Sequence, residues 1–142
     1  MIGAVVARRA IRSGFEALNR HDRTTFMSAW TEDATFEYPG DIGPSGVHRG
    51  KPAVEEWFRR FLDQFPTIEF TIRDICVRDA FDFVGSNVIA VHWDLAVVSR
   101  DGREGRNSGV TMVTIDRGKA LEVKDFLFET GEEWRRNWGA DD

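Results

Sequence analysis

The sequence predicts an α+β fold, a curved antiparallel sheet wrapped as a cone around one long helix. Three observations carry this. Helical periodicity is confined to the part before Pro66. The part after it reads as long strands joined by short polar turns. Between them lies one helix whose apolar stripe is mostly aromatic. Helices first and strands afterwards is an α+β order. Four strands curling around that helix form a cone with one closed end and one open mouth.

The first helix runs from about Val5 to Asn19, with Ala7, Ile11, Phe15 and Leu18 at helical spacing. Asn19-Arg20-His21-Asp22 breaks it. Asp22 can cap a second, shorter helix whose inner face is Phe26 and Trp30. Ala34 to Tyr38 is a short strand. Pro39 to Gly50 holds four glycines and two prolines and reads as a plain loop. It lacks the Gly-Lys-Ser/Thr ending of a phosphate cradle. Pro52 suits the first turn of the third helix. Val54, Trp57, Phe58, Phe61, Leu62 and Phe65 then follow the i, i+3, i+4, i+7, i+8, i+11 pattern, and Pro66 ends it. Strands are expected at Ile68–Arg78, Phe81–Val98, Asn107–Ile115 and Leu121–Phe128. Residues Glu132 to Trp138 predict a terminal helix with Trp134 and Trp138 on one face.

At 142 residues the chain is expected to be one domain, residues 1–142, with a real core. It is 42% hydrophobic and 30% charged, ordinary values for a soluble protein. The net charge of −5 and scattered Lys and Arg argue against a nucleic-acid partner. Cys76 is alone, so neither a disulfide framework nor a cysteine metal site is expected. The first ten residues carry two arginines and no long apolar run, unlike a signal peptide. No run approaches membrane-spanning length. A cytoplasmic protein with no membrane contact is the simplest expectation. Eleven Phe and five Trp against one Tyr is a large aromatic load. Either the core is very full or some rings line a cavity.

Asp125 is the charged residue in the wrong place. Along Leu121–Phe128, Leu121, Val123, Asp125 and Leu127 share one side, and Glu122 and Lys124 mark the wet side. A carboxylate on the apolar side must be paired, hydrogen-bonded or shifted toward its neutral form. The same conditions suit an acid or base. His92 and Asp94, two apart, share a strand face roughly 6.6 Å apart, with Val88, Ala90 and Ala96. One reading brings His92, Asp94 and Asp125 together inside the cone. Asp125 then acts as base, His92 orients or protonates, and Asp94 sets the His tautomer. The other reading makes His92 and Asp94 a self-satisfied polar pair, and has Asp125 held by Arg135 or Arg136. Tyr38 is a candidate donor at the pocket mouth or, equally, a buried tyrosine merely bonded to backbone, and Phe15, Trp30, Phe58 and Thr111 are candidate binding positions. Three ligands are too few to predict a metal site. The opposite face of the central strand, Ile89, Val91, Trp93, Leu95 and Val97, would leave an apolar patch, which predicts a homodimer packed sheet to sheet.

Four motifs in order carry a family resemblance. They are Phe15-Glu16-Ala17-Leu18-Asn19-Arg20-His21-Asp22, Trp30-Thr31-Glu32-Asp33-Ala34-Thr35-Phe36-Glu37-Tyr38-Pro39-Gly40, Arg49-Gly50-Lys51-Pro52-Ala53-Val54 and Gly118-Lys119-Ala120-Leu121-Glu122-Val123-Lys124-Asp125. Together they resemble the SnoaL-like branch of the nuclear transport factor 2-like superfamily over nearly the whole chain. The resemblance implies the cone fold but no single activity, since that fold hosts isomerases, cyclases, hydrolases, dehydratases and non-enzymatic binders. The three functional positions of ketosteroid isomerase relatives correspond to Gly14, Tyr38 and Thr111, which lack the required groups. SnoaL cyclases resemble this chain in the last-strand Asp125, but their partner His corresponds to Thr111. Limonene epoxide hydrolase relatives use Arg-x-Asp with a last-strand Asp; here stand His92-Trp93-Asp94 and Asp125. Their water-holding amide lies near Tyr38. The resemblance implies cofactor-free acid/base chemistry of the isomerase, cyclase or epoxide-hydrolase type on a small hydrophobic molecule. The alternative is a non-catalytic binding or dimerisation module of the same fold.

Overall fold

The computed structural model describes residues 2–139. The order is α1 (Ile2–Asn19), α2 (Arg23–Ser28), β1 (Trp30–Tyr38), β2 (Gly46–Arg49), α3 (Lys51–Gln64), β3 (Thr67–Val77), β4 (Asn87–Val98), β5 (Glu104–Asp116), β6 (Lys119–Leu127) and α4 (Glu132–Asn137). The strands form one curved sheet in the order β2-β1-β6-β5-β4-β3. All neighbours are antiparallel except β1 and β6, which run parallel. The α+β class and the sheet curled around a long helix are as the sequence predicts.

Local chemistry places the helices. Asp22 caps α2 by accepting the Thr25 N–H at 3.1 Å. Gly50 precedes α3 with φ at 87°, a backbone that disfavours side chains, and Pro52 occupies the first turn. The inward stripe of α3, Val54, Trp57, Phe58 and Phe61, is buried. Phe36 of β1 is among the largest fully buried side chains and meets Trp57 at 4.6 Å between ring centroids. Phe65 stacks on Trp134 at 5.8 Å. Much of the aromatic load thus fills the closed end of the cone.

The structure corrects four expectations. Pro39–Gly50 is not only a loop, because Gly46–Arg49 pairs with β1 as an edge strand. With the short strand at the start and the four long ones, this edge strand brings the sheet to six. Trp30 opens β1 rather than facing inward from the second helix. The strand expected from Phe81 begins at Asn87, and the stretch before it is a loop. Asn87 holds that loop by accepting the Asp79 N–H and donating to the Asp79 carbonyl.

The fourth correction is the parity of β4. Ile89, Val91, Trp93, Leu95 and Val97 are buried inside the cone, and Val88, Ala90, His92, Asp94 and Ala96 face outward. Both faces of this strand carry apolar residues, so alternation alone cannot choose between them. Side-chain volume does. The bulky set fills the space under α1 and α3, which the small set could not fill. Ile89, Val91, Trp93, Leu95 and Val97 are core and leave no exposed patch for the dimer contact expected of them.

Candidate functional site

A cavity with about 120 Å³ of free volume opens between α1, α2 and the concave side of the sheet. Its rim includes Ala10, Ala29 and Gly118, all exposed. Its walls are mostly aromatic and aliphatic, and include Phe15, Trp30, Phe58, Phe70 and Trp93. Tyr38, Thr111 and Asp125 supply polar atoms.

Those three residues form a row across the sheet. In the parallel pair of β1 and β6, Phe36 lies beside Val123 and Glu37 beside Lys124. The next step puts Tyr38 beside Asp125, on strands about 4.8 Å apart. On the other flank, Asp125 is in register with Thr111 of β5. The Thr111 hydroxyl donates to Asp125 Oδ1 at 2.6 Å. The Thr111 hydroxyl oxygen in turn accepts the Trp93 indole N–H at 2.8 Å. Trp93 thereby aims the Thr111 proton at the carboxylate, and Oδ2 carries no hydrogen bond among the described residues.

Asp125 is only half-buried by its contact with solvent-sized space, because it borders the cavity. Its carboxyl is nevertheless crowded by surrounding protein atoms. This crowding governs its charge, since the space it borders is apolar and small. Burial pushes the Asp125 carboxyl up to about 7, against a smaller downward pull from the Thr111 bond. Near neutral pH both protonation states are then populated.

Tyr38 lies at the closed end, not at the mouth. Its hydroxyl oxygen accepts the indole N–H of Trp134 at 2.9 Å and of Trp138 at 3.1 Å. Four-residue spacing puts both indoles on one face of the α4 end. With both lone pairs engaged, the Tyr38 proton is left to be donated elsewhere. Burial holds the Tyr38 phenol well above its ordinary range; the two indole bonds oppose this, and the Asp125 charge adds to it. Tyr38 is therefore a neutral donor at any ordinary pH.

The structure brings Asp125, Tyr38, Phe15, Trp30, Phe58 and Thr111 to one cavity. It does not bring His92 and Asp94 there. His92 Nδ1 lies 3.2 Å from Asp74 Oδ2 on the outer face. Asp94 accepts from Ser108 at 2.6 Å and from Arg73 at 2.5 Å. The Ser108 and Arg73 bonds hold the Asp94 carboxyl below its usual range. Neither residue can act together with Asp125 across the sheet. Arg135 and Arg136 do not hold Asp125 either, since they pair with Asp41 and Glu132. Among the described residues, no group of three or more His, Cys, Asp or Glu could hold a metal ion.

Sequence reasoning missed two residues. Trp93 faces inward, opposite to the sequence expectation, and Trp134 has a role at the site that its place on the terminal helix does not announce. The signal that bears on Trp93 is its bulk, since the side-chain volumes of the two faces of β4 differ, but the sequence does not show which face is covered. Gly14 lines the same cavity as Tyr38 and Thr111.

A family model described as the SnoaL-like domain matches residues 11–123. The chain belongs to the SnoaL-like family. Asp125 stands two residues beyond the matched stretch of this SnoaL-like chain. A search of curated proteins returns no match. Among solved structures, the chain is similar to Bal32a from a soil-derived mobile gene cassette. The identity is 18% over 96% of this chain and 98% of that one, with a TM-score of 0.81. It is similar to TerC co-crystallized with polyporic acid, at 18% identity, 85% and 90% coverage and a TM-score of 0.70. It is also similar to Rv0760c from Mycobacterium tuberculosis in complex with estradiol-17β-hemisuccinate. There the identity is 19%, coverage 85% and 92%, and the TM-score 0.72. At these identities the structural likeness shows the fold alone. No helix of the described residues is long and apolar enough to cross a membrane.

Proposed function

We propose that this SnoaL-like protein binds a small, largely apolar molecule and transfers protons on it, with Asp125 as the acid/base and Tyr38 as a donor to a substrate oxygen. One observation carries the reading. A carboxyl raised to about 7 sits in an apolar cavity beside a neutral phenol whose proton is unclaimed. A base near the working pH serves best for proton transfer. The Tyr38 donor would stabilise negative charge developing on an oxygen as Asp125 removes a nearby proton. That pairing suits isomerisation or cyclisation through an enol. It does not suit the epoxide-hydrolase arrangement, which needed His92 and Asp94 in the pocket.

The cavity volume bounds the ligand. An apolar cavity of roughly 150 Å³ can hold a benzene ring. At about 120 Å³ this cavity is somewhat smaller, so it takes at most one ring-sized apolar head, with any larger part extending through the mouth. Polyporic acid and estradiol-17β-hemisuccinate, found with two structural relatives, support a small-molecule reading. The test is a screen of small aromatic ketones and enols followed by the fluorescence of the cavity tryptophans, then turnover of the binders. Tyr38→Phe is expected to lower turnover by about 10²-fold while leaving affinity within a few-fold. Equal loss of affinity and turnover would show that Tyr38 only binds.

The mostly apolar lining favours a second reading, a non-catalytic binder. It predicts ligands that bind, with no turnover by the wild type.

A homodimer through the outer sheet face remains part of the proposal on new grounds. Phe126 and Phe128 stand exposed beside the half-buried Val110 and Met112 on that face. Light scattering is expected to give twice the chain mass; a monomeric mass excludes this packing.

A further inference from the structure

The loop between β3 and β4 turns an expected strand into a surface feature. Phe81, Phe83 and Val84 are 67%, 75% and 75% exposed. Apolar side chains of this size are rarely left to water in a cluster. The loop is nevertheless built, not loose. The Asp79 carboxylate accepts the Phe81 N–H and the Asp82 carboxylate the Val84 N–H.

Its position matters more than its composition. Gly85 accepts the Gly118 N–H at 3.0 Å, which ties one end of the loop to the cavity rim. At the other side Gly3 of α1 lies so close to the Asp82 backbone that a Cβ would clash at 2.5 Å. Val5 and Val6, one helical turn away, are 54% and 60% exposed. Val6, Ala10 and Gly14 are four apart and share one helical stripe. Ala10 and Gly14 line the cavity, so Val6 continues its wall outward onto the surface. The exposed apolar residues and the mouth are thus one continuous surface.

The charge around this surface runs against the rest of the chain. Arg9 and Arg12 share the Val5 stripe of α1, Arg78 stands at the start of the loop, Arg117 and Lys119 flank Gly118, and Arg8 donates to the Ile75 carbonyl nearby. Glu16 on that stripe and Asp79, Asp82 and Asp116 are the acids of the same segments, so the six cations outnumber the four acids. Among the described residues, none of the six cations forms an ion pair with an acid. A chain of net charge −5 therefore presents a basic ring with protruding Phe and Val at the mouth of an apolar cavity.

We infer that the mouth docks on an anionic lipid surface, with Phe81, Phe83 and Val84 entering the interface and the surrounding arginines facing its headgroups. Apolar insertion combined with basic flanks is the chemistry of peripheral membrane contact. The sequence pointed away from a membrane only because it has no spanning run, and a surface contact needs none. Docked this way, the cavity opens toward the phase in which an apolar ligand is most concentrated. The inference does not depend on the chemistry at Asp125.

Co-sedimentation of the intact chain with vesicles tests it. Binding is expected to phosphatidylcholine vesicles containing about a third phosphatidylglycerol, falling as salt rises, and to be at least about tenfold weaker on pure phosphatidylcholine. Phe81→Ser combined with Phe83→Ser is expected to lose at least about tenfold on the anionic vesicles. Its melting temperature should not change, since neither ring is buried. No binding by the wild type overturns the inference. So does equal binding to both compositions, or undiminished binding by the double variant. A light-scattering mass that drops in the double variant also overturns it, because a second copy would then cover the patch.

Discussion

Asp125→Asn abolishes turnover of any substrate found for the cavity and at the same time stabilises the fold at alkaline pH. The catalytic half follows from removing the only carboxylate among the described residues that line the cavity, with an expected loss of about 10²–10⁴-fold. The stability half follows from linkage. An unfolded Asp titrates near its ordinary value of about 3.9, whereas the folded Asp125 titrates at about 7. Between those values the folded chain binds more protons than the unfolded one. Wild-type stability therefore falls as pH rises through that window, and the full penalty is in place above it. The size is on the order of 2–4 kcal/mol, the upper end corresponding to the full shift. Asn keeps an acceptor for the Thr111 hydroxyl and has no charge to bury. The two proteins should be equally stable near pH 4 and diverge toward pH 8, with the variant ahead. Denaturant midpoints measured across that range check this, and parallel profiles would exclude a raised Asp125. A catalytically dead but stabler variant would show that the carboxylate is retained for function rather than for folding.

Trp134→Ala has the largest effect at the closed end. Trp134 is buried, stacks on Phe65, lines the cavity and donates to Tyr38. Truncation removes a large buried ring and is expected to cost about 3–5 kcal/mol, read as a lowered denaturant midpoint. It also frees one lone pair of the Tyr38 oxygen, so the phenol proton is no longer directed by exclusion. Trp134→Phe separates the two consequences. It restores most of the packing without the N–H, so stability should largely recover while the loss of turnover persists. Full recovery of both would make Trp134 a packing residue only.

The helices were legible because their signals are local. Apolar spacing placed α1 and α3, Asp22 announced the start of α2, and Pro66 the end of α3. The odd position of Asp125 was legible too, since Glu122 and Lys124 marked the wet side of the same strand. The β3–β4 loop was not. Phe81, Phe83 and Val84 have the composition of a strand, and only their failure to find a partner strand exposes them. Edge strand β2 was hidden for the opposite reason, because its Gly-rich surroundings read as loop.

The sequence by itself determined the α+β order, the aromatic helix inside the sheet, and a carboxylate on the inward side of the last strand. Each follows from periodicity within one element. Only the tertiary structure decided which face of β4 is core, and so removed His92 and Asp94 from the cavity and put Trp93 into it. Alternation specifies two faces but not which one is covered; the volume available under α1 and α3 makes that choice. Only the tertiary structure set Tyr38, Asp125 and Thr111 in one row. That row depends on the parallel pairing of β1 with β6, strands from opposite ends of the chain, and no local pattern encodes such a register.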